Sequence, residues 1–110
     1  MTVDFELDGQ GFVALNGGPI FKFTEAVSFV VNCKTQKEID YYWKKLSAGG
    51  KKVQCGWLKD KFGVSWQIVP TILAKLVTDK DPKRGERVMH AMMKMVKLDI
   101  KKLEQAAKRK

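Results

Sequence analysis

A chain of 110 residues with 45% hydrophobic and 30% charged residues fits one globular domain and is not typical of a disordered protein. No apolar run approaches the roughly 18 residues that a membrane span needs. The acidic, alternating N-terminus MTVDFELDG resembles neither a signal peptide nor an anchor. Cys33 and Cys55 have no CxxC pairing or clustered histidine, which favours buried thiols over a disulfide or a metal pair. We therefore expect a soluble, cytoplasmic protein without a membrane partner.

The net charge of +9 is concentrated near the end of the chain. Residues 83–110 hold ten Lys or Arg against three acidic residues and so carry +7. A basic segment can bind phosphate backbones. This one has no aromatic side chain on which bases could stack, and its lysines alternate with apolar residues at helical spacing. The pattern makes nucleic acid an unfavoured partner. Binding of nucleic acid or of an acidic partner through the C-terminal helices is therefore kept only as a weaker alternative function.

The first elements in the chain predict a β-hairpin over residues 2–18. Val3, Phe5 and Leu7 alternate with polar residues, which is the period of a half-buried strand. Asp8-Gly9 supplies the residues that a tight turn prefers, and residues 12–15 form the returning strand. The stretch Asn16-Gly17-Gly18-Pro19 cannot continue a ladder and ends the hairpin.

The next elements predict a strand over residues 27–33 and a helix after it. The strand is rich in β-branched residues. Thr35 followed by Glu38 is the pattern of a capping box at a helix N-terminus. One helical face then carries four apolar residues: Ile39, Tyr42, Trp43 and Leu46. Gly49-Gly50 ends the helix.

Two further strands are predicted over residues 54–58 and 64–69, joined by a turn. Three helices are expected over residues 71–110: a short one from Thr71, a longer one opened by Asp81-Pro82, and a last one capped by Asp99. The order is a hairpin, a strand, a helix, two strands and then helices. The fold class is therefore α+β.

Four stretches resemble, in the same order, the PhnB-like branch of the glyoxalase/bleomycin-resistance superfamily, also called vicinal oxygen chelate. They are FELDGQGFVALNGGP, SFVVNCKTQKEIDYYWKKL, CGWLKDKFGVSWQIVP and AMMKMVKLDIKKLEQA. The branch often carries the label 3-demethylubiquinone-9 3-methyltransferase. The sequence does not support that activity, because it has no strand–Gly-rich loop–helix signature of a nucleotide-type cofactor site.

The resemblance implies two βαβββ modules whose curved sheets form a cup for a small ligand or a metal. Only one complete module fits here, over residues 27–70, preceded by the hairpin. The chain therefore reads as one truncated domain that lacks the first strand, helix and second strand of the leading module. Half a cup would leave sheet edges and an apolar face open to water, so we expect a homodimer. The Met-rich helix near residues 88–96 is a second candidate contact surface.

The resemblance also indicates where the superfamily's metal ligands would fall. The usual histidine position falls on Ala26, and the usual glutamate position falls on Gln67. The hairpin offers Ala14 or Asn16 in place of another acid, and the single histidine, His90, lies in the Met-rich helix. Divalent metals need several converging N or O ligands. No cofactor and no metal site are therefore predicted.

The remaining candidate binding site is a group of polar side chains next to apolar ones on the predicted strands. Strand alternation places Ser28, Val30 and Asn32 on one face of the first strand of the module. It places Ser65, Gln67 and Val69 on one face of the last strand. If the family pattern holds, these faces line the cup. The candidate ligand-binding residues are Asn16, Ser28, Asn32, Trp57, Ser65 and Gln67, with the direction of Trp57 left open.

Two functions follow from this set. The first is non-catalytic binding or sequestering of an unknown small molecule, and the alternative is a divergent metal-dependent enzyme with a site shared between chains. The polar residues could equally serve only to satisfy buried backbone groups.

Overall fold

The N-terminal hairpin forms a two-stranded sheet of its own in the computed structural model, which describes residues 1–108. Strands β1 (Thr2–Leu7) and β2 (Gln10–Leu15) pair antiparallel. Asp8 and Gly9 both adopt positive φ angles, 52° and 79°, as the tight turn that joins β1 to β2 requires. The Phe12 ring stacks on Phe5 and meets Phe29 edge to face at 5.8 Å, which joins the hairpin to the main sheet.

The main sheet contains four strands in the order β3–β6–β5–β4. These are β3 (Ser28–Cys33), β4 (Lys51–Lys52), β5 (Trp57–Lys59) and β6 (Ser65–Pro70). Helix α1 (Gln36–Ser47) connects β3 to β4, and β3 lies parallel to β6. The expected βαβββ module is therefore confirmed. The strand predicted over residues 54–58 is wrong in its start: Gln54 to Gly56 form a turn, and the two-residue β4 precedes them.

Helix α1 begins where the capping pattern predicts. Thr35 Oγ1 accepts a hydrogen bond from the Glu38 N–H at 3.2 Å. The Glu38 carboxylate reaches back one residue further than in the standard box and accepts from the Lys34 N–H at 3.3 Å. Ile39 and Trp43 on the inner face of the helix are buried against the sheet. The core that they share contains Cys33, Leu58 and Ile68.

Three helices follow β6: α2 (Ile72–Val77), α3 (Pro82–Met93) and α4 (Ile100–Lys108). Asp81 caps α3 through the Lys83 N–H, and Asp99 accepts from the Lys102 N–H at the start of α4. Helices were predicted over residues 71–110, of which residues 109–110 lie outside the described part of the chain. The three helices enclose a second core of Val88, Leu98 and Leu103. Within residues 1–108, no helix is long and apolar enough to cross a membrane.

The segment between α3 and α4 is held against the module by polar contacts. The backbone N–H groups of Cys55 and Gly56 donate to Met95 O and Val96 O at 2.8 and 2.9 Å. Gly56 has a φ of +83°, and a Cβ there would come within 3.0 Å of Leu98, so the turn requires glycine. Gln36 on α1 accepts from the Ile100 N–H and donates to Leu98 O.

Replacing Gln36 with alanine should loosen this contact between α1 and the C-terminal helices. Gln36→Ala leaves the half-buried Ile100 N–H without its partner, so we expect the free energy of unfolding to fall by about 1–3 kcal/mol. Urea denaturation of Gln36→Ala beside Lys37→Ala, an exposed neighbour on the same helix, measures the difference. Equal stability of the two variants would show that the Gln36 side chain does not hold this segment.

Candidate functional site

The four-stranded sheet has one face covered by α1 and one face that α1 leaves open. Val31, Cys33 and Ile68 face the helix and belong to its core. The strand register places the alternate residues on the open face in neighbouring pairs. A row across β3, β6 and β5 contains Ser28, Ser65 and Lys59, and the next contains Val30, Gln67 and Trp57. Asn32 and Val69 follow on β3 and β6.

The middle row forms an accessible floor of mixed chemistry. Val30 is 51% exposed although it sits in a regular strand. Gln67 and Trp57 are half-buried, and they are direct cross-strand neighbours. The register therefore settles the direction of Trp57, which lies on the same face as Gln67. An aromatic ring, an aliphatic side chain and an amide side by side are suited to a ligand with both apolar and polar parts.

Three polar side chains lie close together at one end of this floor. Gln67 Nε2 donates a hydrogen bond to Ser28 Oγ at 2.9 Å across the β3–β6 pair. Ser65, the register partner of Ser28, is only 1% exposed, and its Oγ has no hydrogen-bond partner within residues 1–108. A buried hydroxyl without a partner is unusual and costs free energy. The hydroxyl of Ser65 therefore keeps an unused hydrogen-bonding capacity at this end of the floor.

A Glu25–Lys59 ion pair spans the sheet at the level of Ser65, and neither residue was predicted to belong to this face. Lys59 is the register partner of Ser65 on β5, while Glu25 precedes β3 on the far side of β6. The hydrogen bond from Lys59, a backbone hydrogen bond and the positive charge of Lys59 lower the pKa of Glu25. The alternation of Trp57, Leu58 and Lys59 along the strand was enough to predict the position of Lys59, because it places Lys59 on the same face as Trp57.

The opposite end of the open face is closed by the C-terminal helices. Val69, beside Asn32, packs against the second core with Leu73 and Leu76. Asn32 itself is exposed at this end of β3. Asn16 lies just after β2, where its backbone N–H donates to Met1 O at 3.0 Å. The structure thus brings together Ser28, Ser65, Gln67 and Trp57, places Asn32 at the border, and leaves Asn16 on the hairpin.

The residues considered for metal or acid–base chemistry do not converge on this face. Within residues 1–108, no group of three or more His, Cys, Asp or Glu is placed to hold a metal ion. His90 is exposed on α3. Cys33 is buried under α1, and burial, with a smaller effect of the Glu38 charge, raises the pKa of its thiol. A raised pKa disfavours the reactive thiolate.

Comparison with known proteins identifies the family to which this architecture belongs. The family model described as 3-demethylubiquinone-9 3-methyltransferase matches residues 1–69. The chain belongs to this PhnB-like family. Its mixed α+β structure has the PhnB-like glyoxalase fold, as the resemblance of the sequence predicted.

A solved structure of the PhnB protein from Bacillus cereus is similar to this PhnB-like chain. The two are 35% identical with a TM-score of 0.60, and the alignment covers 64% of this chain and 64% of the other. This chain thus spans less than two thirds of that protein's length. No curated protein matches significantly. The family match contains the hairpin and the βαβββ module and stops before the C-terminal helices.

The two serines of the first row should respond oppositely to loss of their hydroxyl groups. Ser65→Ala removes a buried, unpaired hydroxyl, so we expect the free energy of unfolding to rise by up to about 1 kcal/mol. Ser28→Ala removes the acceptor for Gln67 and should lower it by about 1 kcal/mol. Urea denaturation of the ligand-free protein measures both. A clear loss of stability in Ser65→Ala would show that its hydroxyl is already satisfied.

Proposed function

We propose that this PhnB-like protein binds a small organic molecule on the open face of its sheet, without catalysing a reaction. The observation that supports this is the unpaired, buried Ser65 hydroxyl beside the Ser28–Gln67 hydrogen bond. The exposed floor of Val30 and Trp57 adjoins this polar end. A ligand with one polar group and an apolar body would satisfy both parts.

The family description names a methyltransferase, and the local geometry does not favour that activity. The junction between β3 and α1 consists of Lys34 and Thr35, and the junction between β6 and α2 consists of Thr71. Neither contains a glycine that would let a nucleotide-type cofactor approach the backbone. Binding, rather than group transfer, therefore fits the residues on this face better.

We also propose that a second copy of the chain completes the site. Within residues 1–108, strand β3 pairs with β6 alone, so its other edge is open, and its sequence SFVVNC contains no Lys or Pro to block pairing. Large apolar side chains are exposed nearby, on the hairpin and on the segment that leads to β3: Val13, Leu15, Ile20, Phe21, Phe23 and Val27. Two identical edges can pair antiparallel about a two-fold axis, which makes a closed dimer.

The dimer predicts a specific response at Val30. The wild-type protein should elute in size-exclusion chromatography with light scattering at twice the mass of one chain. Val30→Arg places a charge on the exposed face of β3 and should shift the protein toward the monomer. Tyr41→Arg is the matched control, because Tyr41 is 57% exposed on α1. A wild-type monomer at micromolar concentration, or equal disruption by both variants, would contradict the proposed interface.

Native mass spectrometry of protein purified without an affinity tag or chelator tests ligand binding. We expect a reproducible mass increment from a small organic molecule, which Gln67→Ala should reduce because the polar end of the site is lost. Gln54→Ala removes the same side-chain amide from an exposed turn and should leave the increment unchanged. Circular dichroism checks that both variants are folded. A stoichiometric divalent metal would instead favour the divergent enzyme, and an empty protein would oppose binding.

A further inference from the structure

Helix α3 carries a stripe of basic side chains on the face that borders α4. Its members are Lys83, Arg87 and His90 on α3 and Lys94 at the C-cap of the helix, separated by four, three and four residues. Lys83 and Arg87 are like charges four residues apart, and such a pair destabilises an isolated helix by roughly 0.2–0.5 kcal/mol. Within residues 1–108, the ion pairs that form involve none of these four side chains. A bound anion would offset the repulsion between the cations of the stripe.

The stripe lines a groove between α3 and α4 with a volume of about 760 Å³. Lys102 adds a cation from the α4 side, and Glu86 is the acidic residue in the lining. Ala91, Met95 and Ala106 supply an apolar surface between the charges. Binding sites for small organic molecules typically measure about 300–1,000 Å³ and combine an apolar lining with a few polar groups.

Arg87 is held in place at this groove by the end of α4. Its Nε donates to Ala106 O at 3.0 Å, and its Nη2 donates to Ala107 O at 3.1 Å. These contacts orient the guanidinium and leave Nη1 for another acceptor. A pre-oriented guanidinium is well suited to phosphate or carboxylate oxygens, because little side-chain entropy is lost on binding.

We propose that the α3–α4 groove binds a small organic anion with at least two negative charges and an apolar part. The lining holds more cations than its one acidic residue, Glu86, which favours a negatively charged ligand. The apolar surface favours a ligand with an organic, apolar part. Residues 83–110 contain no aromatic side chain for base stacking, which favours a small anion over a nucleic acid. The groove lies beyond residues 1–69 of the family match and does not depend on the open face of the sheet.

Phenyl phosphate is a suitable probe, because it carries a phosphate and an aromatic ring. In a ¹⁵N-resolved NMR titration of the full chain, we expect saturable shift changes confined to amides of α3 and α4. Lys94→Gln combined with Lys102→Gln should weaken the apparent affinity at least about tenfold by removing two charge-assisted contacts. Lys44→Gln combined with Lys45→Gln removes the same charge from exposed positions of α1 and should change the affinity less than about twofold.

Several outcomes would overturn the proposal. Equal weakening by the two double variants would show that only the overall charge attracts the probe. Shift changes spread over the exposed lysines of the whole chain, or absence of saturation, would have the same meaning. If a short duplex DNA displaced phenyl phosphate and shifted amides well outside α3 and α4, the surface would be a nucleic-acid interface instead of a small-anion site.

Discussion

The parallel pairing of β3 with β6 determines which side chains contact α1 and which reach the open face of the sheet. With Val31 opposite Ile68, both residues join the core under α1, while the partners Val30 and Gln67 lie on the open face. A shift of one residue would bury Gln67 under the helix and expose Ile68. The core and the candidate site therefore depend on the same register.

The two ends of the open face are closed in different ways, and its middle is not closed. The Glu25–Lys59 pair spans the sheet beside the buried Ser65, and Val69 packs against the helical core at the other end. Val30 stays exposed between these ends, next to the edge of β3 that has no partner strand in the described part of the chain. Exposed apolar residues beside an open edge are typical of an interface, which is why we propose that a second copy completes the cup.

The elements that depend on local interactions could be predicted from the sequence, and those that depend on distant contacts could not. Thr35 and Glu38 are close in sequence, so the start of α1 was evident, as was the Asp8-Gly9 turn. Strand β4 has only two residues, and only its pairing with Lys59 and Leu58 defines it. At the site, strand alternation grouped Ser28 with Asn32 and Ser65 with Gln67. The burial of Ser65 and the Glu25–Lys59 pair required the folded chain.

Intermolecular nuclear Overhauser effects test the completion of the cup by a second copy most directly. The sample mixes ¹³C-labelled with unlabelled chains, and the spectrum is filtered for contacts between a labelled and an unlabelled copy. The proposed dimer predicts such contacts to the methyl groups of Val30, which is exposed in a single chain. Contacts confined to surfaces away from β3, or their complete absence from a monomeric sample, would contradict the account.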